Sequence, residues 1–227
     1  MKRAMERYMA HQAKTGKIVI ALMELGLGIP TGSLAKYTAN GWDHLRVLRF
    51  PARDRTNGKG KDGRGIGSHT DYGLLVIGQQ DEVGGLFVRP PRLGDESYSN
   101  WEKYAAGFKE DDCNWLFVPP TVGTSTIILG DMMQYMTNGF LHATPHKVGL
   151  NTTERFSFAY FHEPNFRAVV KPLPGYAAGQ SPVEGIHYGA HFTNMSLQNF
   201  PDRETTRRII SEGRYDMLST SELQLHI

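Results

Sequence analysis

Between residues 41 and 165 the sequence breaks into short runs of β-branched and aromatic residues, punctuated by Gly, Pro, Asn and Asp. Such runs point to antiparallel sheets rather than alternating βα units. Strands are expected near 44–50, 69–78, 85–89, 115–118, 124–129, 132–136, 141–148 and 155–162. Strands at this spacing suggest a sandwich or barrel of jelly-roll type. The flanks differ. Residues 2–26 set Met5, Met9, Ile18, Ile20, Ala21 and Leu25 among charged and polar residues, an amphipathic helical pattern ending at Gly26-Leu-Gly. A short helix is expected at 32–38, and the tail from Thr193 to Leu218 is again helical, with Asn199-Phe-Pro-Asp-Arg-Glu as a helix start. The expected organisation is mainly β with flanking helices: a helical segment 1–40, a jelly-roll core 41–165 and a C-terminal helical extension 166–227. No N-capping residue precedes the first helix, so segment 1–40 is expected to be the remnant of a longer N-terminal region.

Composition narrows the function classes. The apolar runs fall short of the roughly 18–20 residues a bilayer helix needs, and no apolar stretch follows the basic start, so a cytoplasmic protein is expected. The single cysteine, Cys113, excludes an internal disulfide and a cysteine-built zinc or iron–sulfur site. Any metal must be held by His and carboxylates. A net charge of +2, with both signs interspersed, offers no stripe for a phosphate backbone, and the basic stretch Arg53–Arg64 reads as a glycine-rich loop. Neither a nucleic-acid nor a membrane partner is expected. The oligomeric state is left open.

Candidate chemistry begins at Ser68-His-Thr-Asp-Tyr-Gly. In a strand, residues i and i+2 share a face, so His69 and Asp71 would project together. Downstream, Asn138-Gly139 reads as a hairpin turn, and the following Leu141-His-Ala-Thr-Pro-His-Lys offers His142 or His146 as a third ligand. Two His and one carboxylate make the facial triad of non-haem Fe(II) oxygenases, which leaves positions open for substrate and dioxygen. In Arg155-Phe-Ser-Phe-Ala-Tyr-Phe the period of two puts Arg155, Ser157, Ala159 and Phe161 on one face. With the aromatics of the other face covered by helices, Arg155 and Ser157 point inward, where a guanidinium needs an anion. In Leu45-Arg-Val-Leu-Arg-Phe one of Arg46 and Arg49 must also face inward, and Arg46 is expected to be that one. Asp131 reads as a turn residue, and His162, His187 and His191 as structural histidines.

His69-Thr-Asp71, His146 and Arg155-Phe-Ser157 resemble the HxD…H…RxS signature of the iron- and 2-oxoglutarate-dependent dioxygenases related to isopenicillin N synthase. The likeness is closest to the ethylene/succinate-forming branch, through strings such as Leu45-Arg-Val-Leu-Arg-Phe-Pro, Thr144-Pro-His-Lys-Val and Ala159-Tyr-Phe-His-Glu-Pro-Asn-Phe, and it runs across nearly the whole chain. The resemblance implies a double-stranded β-helix, with Fe(II) on His69, Asp71 and His146 and with His142 outside the site. It implies Arg155 and Ser157 on the distal carboxylate of 2-oxoglutarate and Arg46 near its metal-chelating end. Tyr72 and Gln198 fall at substrate-contacting positions. The implied activity is oxidative decarboxylation of 2-oxoglutarate by dioxygen to succinate and carbon dioxide, with ethylene as a second product and L-arginine as co-substrate. There are departures. Ser157 stands where the ethylene-forming branch is apolar, Gln198 where it has Arg, and the family's longer N-terminal region has no counterpart in these residues. The alternatives are a hydroxylase of an unidentified small molecule and a truncated relative that binds metal or 2-oxoglutarate without turnover.

Overall fold

Two four-stranded antiparallel sheets face each other in the computed structural model, which describes residues 1–56, 64–91, 113–177 and 185–213, apart from the side chains of Arg64 and Gln198. The major sheet has the order β1 (His44–Phe50), β8 (Arg155–His162), β3 (Leu75–Gln80), β6 (Thr126–Leu129). The minor sheet has the order β2 (Arg64–His69), β7 (His146–Gly149), β4 (Leu86–Val88), β5 (Leu116–Val118). This is the mainly β, jelly-roll architecture that the strand pattern suggests. Among the described residues no helix is long and apolar enough to cross a membrane.

Register decides what the major sheet shows to each side. Arg155, Ser157, Ala159 and Phe161 stand opposite Phe50, Leu48, Arg46 and His44 of β1. Gln80, Gly78 and Val76 of β3 stand opposite Ser157, Ala159 and Phe161 on the other flank. Because side chains alternate, these rows share one face and turn it toward the minor sheet. The opposite face carries Leu75, Ile77 and Tyr160, and it packs with Ile20 of helix α1 (Lys2–Gly26) and Met132, Met133 and Met136 of helix α2 (Asp131–Met136) into the apolar core.

Helix α1 spans the expected residues, but its buried stripe is Gln12, Gly16, Ile20 and Glu24, while Ile18 and Leu25 are exposed. Close approach explains this stripe. Gly16 lies on the ring of His162, where any Cβ would collide. Burial raises the Glu24 pKa, but the backbone amides of Gly32, Leu34 and Ala35, at 2.8, 2.7 and 2.9 Å, outweigh it and hold the carboxylate below its usual range. The expected helix at 32–38 is a 3-10 turn, Ala35–Thr38.

Several expected elements are corrected. The strand expected at 132–136 is helix α2, because an apolar run this short does not distinguish strand from helix. Its first amides, Gly130, Asp131 and Met132, donate to the carbonyls of Leu74, Asp71 and Gly73 at 3.0, 2.8 and 3.0 Å, which satisfies a helix start that has no side-chain cap. Asn138 and Gly139 do take positive φ, at 49° and 77°, but they follow the helix rather than turning a hairpin, and the strand expected at 141–148 is regular only from His146 to Gly149. The strand expected at 69–78 is two strands, with Thr70–Leu74 as an irregular link. The segment 166–227 is not simply helical. It contains a two-stranded sheet, β9 (Val169–Val170) with β10 (Ile186–His187), and then helices α3 (Tyr188–Asn199) and α4 (Glu204–Ser211). Asn199 ends one helix instead of starting the next. The loop at 57–63 and residues 214–218 of the expected tail lie outside the described residues.

Candidate active site

His69 is the last residue of β2 and His146 the first of β7, and the two are register partners with ring centroids 4.2 Å apart. Each Nδ1 faces a backbone carbonyl two residues earlier, Gly67 at 2.8 Å and Thr144 at 3.0 Å. A nitrogen facing a carbonyl must donate, so each Nε2 is left with its lone pair. Both Nε2 atoms point at Asp71, His69 at 3.8 Å from Oδ1 and His146 at 3.4 Å from Oδ2. These separations exceed good hydrogen bonds. The three donor atoms lie within 4.8 Å of one another, which suits two imidazoles and a carboxylate around one ion. Burial, and then the neighbouring His146, push the His69 imidazole down to about 4, so it is neutral and ready to ligate at neutral pH. His69 and Asp71 meet through the loop after β2, not as i and i+2 of one strand. His142 is outside the cluster.

The inner face of the major sheet and the triad line one cavity, which contains His69, Asp71 and His146 as well as Arg46, Arg155 and Ser157. Arg155 is 3% exposed. Its Nη2 donates to Gln80 Oε1 at 3.2 Å, while Nε and Nη1 have no hydrogen-bond partner among the described residues. Its guanidinium carbon lies 4.9 Å from the Phe50 ring centroid. Burial lowers the Arg155 pKa and the charge of Asp81 opposes that, but the Asp81 carboxylate is engaged by the amides of Val83 and Phe156. A buried guanidinium with two unmet donors is costly unless an anion enters. The donor set therefore fits a carboxylate at this end and a divalent metal at the other. Arg46 extends over the Phe161 ring at 5.0 Å, while Arg49 on the opposite face pairs with Glu154.

A second cavity adjoins the first, sharing Arg46, His69, Asp71 and Phe161 and adding Tyr72, Glu163 and the α3 residues Phe192 and Met195. Tyr72 Oη accepts from Asn199 Nδ2 at 2.6 Å. Gln198 lies in the last turn of α3 with its side chain outside the described residues. Two carboxyls beside the site are buried, which the sequence reading does not anticipate. Asp131, expected in a turn, is 2% exposed at the start of α2, and burial raises its pKa to about 7. Glu163 is 1% exposed, accepts from Leu74 N at 3.2 Å and is raised by burial to about 8. Nothing local in Gly-Asp-Met or His-Glu-Pro signals such burial. His162 pairs with Asp43 at 3.2 Å, and His187 Nδ1 accepts from Ala190 N to cap α3.

Comparison with known proteins agrees with this arrangement. A 2-oxoglutarate-dependent ethylene/succinate-forming enzyme of Ralstonia nicotianae is 48% identical over 223 residues, covering 96% of this chain and 62% of that protein. A homoarginine-6-hydroxylase of Glycine max is 34% identical over 165 residues, covering 70% of this chain and 44% of that protein. The chain thus matches between 44% and 62% of the length of these relatives. Among solved structures, a dioxygenase for auxin oxidation from rice superposes with a TM-score of 0.65 at 22% identity, over 91% of this chain and 62% of that one. Its likeness shows the shared fold. The 2OG-Fe(II) oxygenase superfamily pattern matches residues 42–164, which takes in the triad, Arg155 and every strand of both facing sheets, and the chain belongs to that superfamily.

Proposed function

We propose that this chain is an Fe(II)- and 2-oxoglutarate-dependent dioxygenase that oxidatively decarboxylates 2-oxoglutarate to succinate and carbon dioxide, with ethylene formed in the presence of L-arginine. The observation that carries the reading is Arg155, a buried guanidinium with two donors unmet among the described residues, in the same cavity as a His-Asp-His cluster. His69, Asp71 and His146 would hold the metal, and bound Fe(II) would supply the redox chemistry and open positions that a 2-oxo acid and dioxygen require. Arg155 and Ser157 orient the distal carboxylate, and Arg46 sits on the side where the two cavities meet. Leu48, Ile66, Val76 and Ile128 also line the cavity, where their apolar side chains would exclude water. Tyr72, held by Asn199, lines the second cavity, where the prime substrate would sit, and Gln198 is assigned to the same substrate by the family resemblance alone. Ethylene output is supported by the Ralstonia relative. A second reading, hydroxylation of an unidentified small molecule, is favoured by Ser157 and by the homoarginine-6-hydroxylase relative.

The test is anaerobic loading with Fe(II) and 2-oxoglutarate, then oxygen, with assay of succinate and headspace ethylene with and without L-arginine. Both products, lost in Arg155→Ala and His146→Ala, are expected. Succinate without ethylene moves the assignment to the hydroxylase reading. Absence of both products, with 2-oxoglutarate still bound, would leave a binding relative without turnover.

A further inference from the structure

Gln80 meets Arg155 across the sheet with an amide that has only one workable orientation. Its Nε2 donates to the carbonyl of Val118 on β5 at 3.0 Å, and its Oε1 accepts from Arg155 Nη2 at 3.2 Å. Rotating the amide would set its NH2 against the guanidinium and its oxygen against a carbonyl, so two mismatches would replace two bonds. The Val118 carbonyl thus fixes the amide, and the amide fixes the guanidinium. Gln80 is also the register partner of Ser157, so the clamp and the hydroxyl stand side by side on the cavity face.

We infer that Gln80 is a positioning residue that orients the Arg155 fork toward the cavity while remaining neutral, so that the guanidinium's charge is kept for an incoming carboxylate. The inference rests on reading this cavity as the 2-oxoglutarate site. Neutrality is the essential property. A carboxylate at this position would pair with Arg155, satisfy its charge internally and compete with the distal carboxylate of the cosubstrate. Among the described residues, Asp81 is the acid whose charge acts on Arg155, and its oxygens accept from the amides of Val83 and Phe156 rather than from the guanidinium.

The experiment is calorimetric titration of the Mn(II)-loaded protein with 2-oxoglutarate and, separately, with 2-oxopentanoate, which keeps the chelating end and lacks the distal carboxylate. Gln80→Glu is expected to weaken 2-oxoglutarate binding by about tenfold or more while leaving 2-oxopentanoate within about twofold, because only the former needs a free guanidinium. Gln80→Leu, which disorients the fork without neutralising it, is expected to weaken 2-oxoglutarate less than Gln80→Glu does. Equal weakening of both acids would mean general disruption and would overturn the inference, as would no change for either. Arg155→Ala is the reference. If it fails to abolish the preference for 2-oxoglutarate, the cosubstrate reading itself fails. If it abolishes the preference and Gln80→Glu does not reduce it, only the role of Gln80 falls.

Discussion

The two facing sheets divide the candidate site between them, and they are built to different standards of regularity. The major sheet runs unbroken registers, seven partners between β1 and β8 and six between β3 and β8, and it carries Arg155, Ser157 and Gln80 in rows. The minor sheet is short, and the pairing of β2 with β7 shifts register twice before reaching His69 and His146. A regular ladder places side chains at fixed intervals along a wall, which suits an extended diacid held at its far end. It does not by itself bring three donor atoms from different positions to one point. That convergence occurs where the ladder ends, at the last residue of β2, the first of β7 and the loop holding Asp71.

The strongest way to break the comparison is to remove the ligand supplied by the loop. Asp71→Ala leaves two imidazoles on the strand ends and should lower metal affinity by about 100-fold or more, read as Mn(II) binding. Retained tight binding would show that the ladder ends alone make the site. Next in size is a pair of glycines on the same stretch of chain. A Cβ at Gly73 would overlap the Glu163 carboxyl, whereas one at Gly78 would meet Thr126 O at an ordinary 3.5 Å. Gly73→Ala should therefore cost about 1–3 kcal/mol and weaken metal binding by moving the Asp71 loop, while Gly78→Ala should not destabilise the fold. Equal losses of stability would erase the distinction between loop and ladder.

The regular half is also the half readable from the sequence. The bounds of β1 and β8 follow from their alternation, and the inward set of β8 follows from a period of two. The irregular half is read through ligand chemistry instead. His-x-Asp suggests a single strand, and the candidate ligands meet although that strand does not exist. What the sequence hides depends on tertiary contact. Helix α2 looks like a strand because its amides are satisfied by the 71–74 carbonyls rather than by a capping side chain. Glu163 and Asp131 look solvated because only the completed fold buries them. Gln80 has no signal at all, since its role depends on Val118 and Arg155, both distant in sequence.

Glu163 adds a smaller, pH-dependent effect. Burial raises its pKa from the ordinary 4.5 to about 8, with the charges of Asp71 and Asp43 reinforcing the shift. The unfolded chain gives up this proton above its lower pKa, while the folded chain keeps it until about 8. The group's contribution to stability is thus complete below about 4.5 and is lost as the pH rises toward 8. Glu163→Gln has the same shape and no titration, so its thermal midpoint should gain on the unsubstituted protein progressively from pH 5 to pH 8. A constant difference across that range would mean that the carboxyl is ionised in the fold.

The least costly substitution concerns two arginines on one strand. Arg49 faces outward and pairs with Glu154, with the two side chains 66% and 39% exposed. Water competes for both partners and salt screens them, so Arg49→Ala should change stability by no more than about 0.5 kcal/mol in urea unfolding. It should leave the KM for 2-oxoglutarate unchanged. Arg46, three residues earlier, faces the cavity and lies over Phe161. Arg46→Ala is expected to leave stability equally undisturbed but to raise that KM, because the lost charge, though exposed, lines the cavity proposed for the cosubstrate. If the two variants behave alike in both measurements, the alternation of β1 does not separate a functional face from a solvated one.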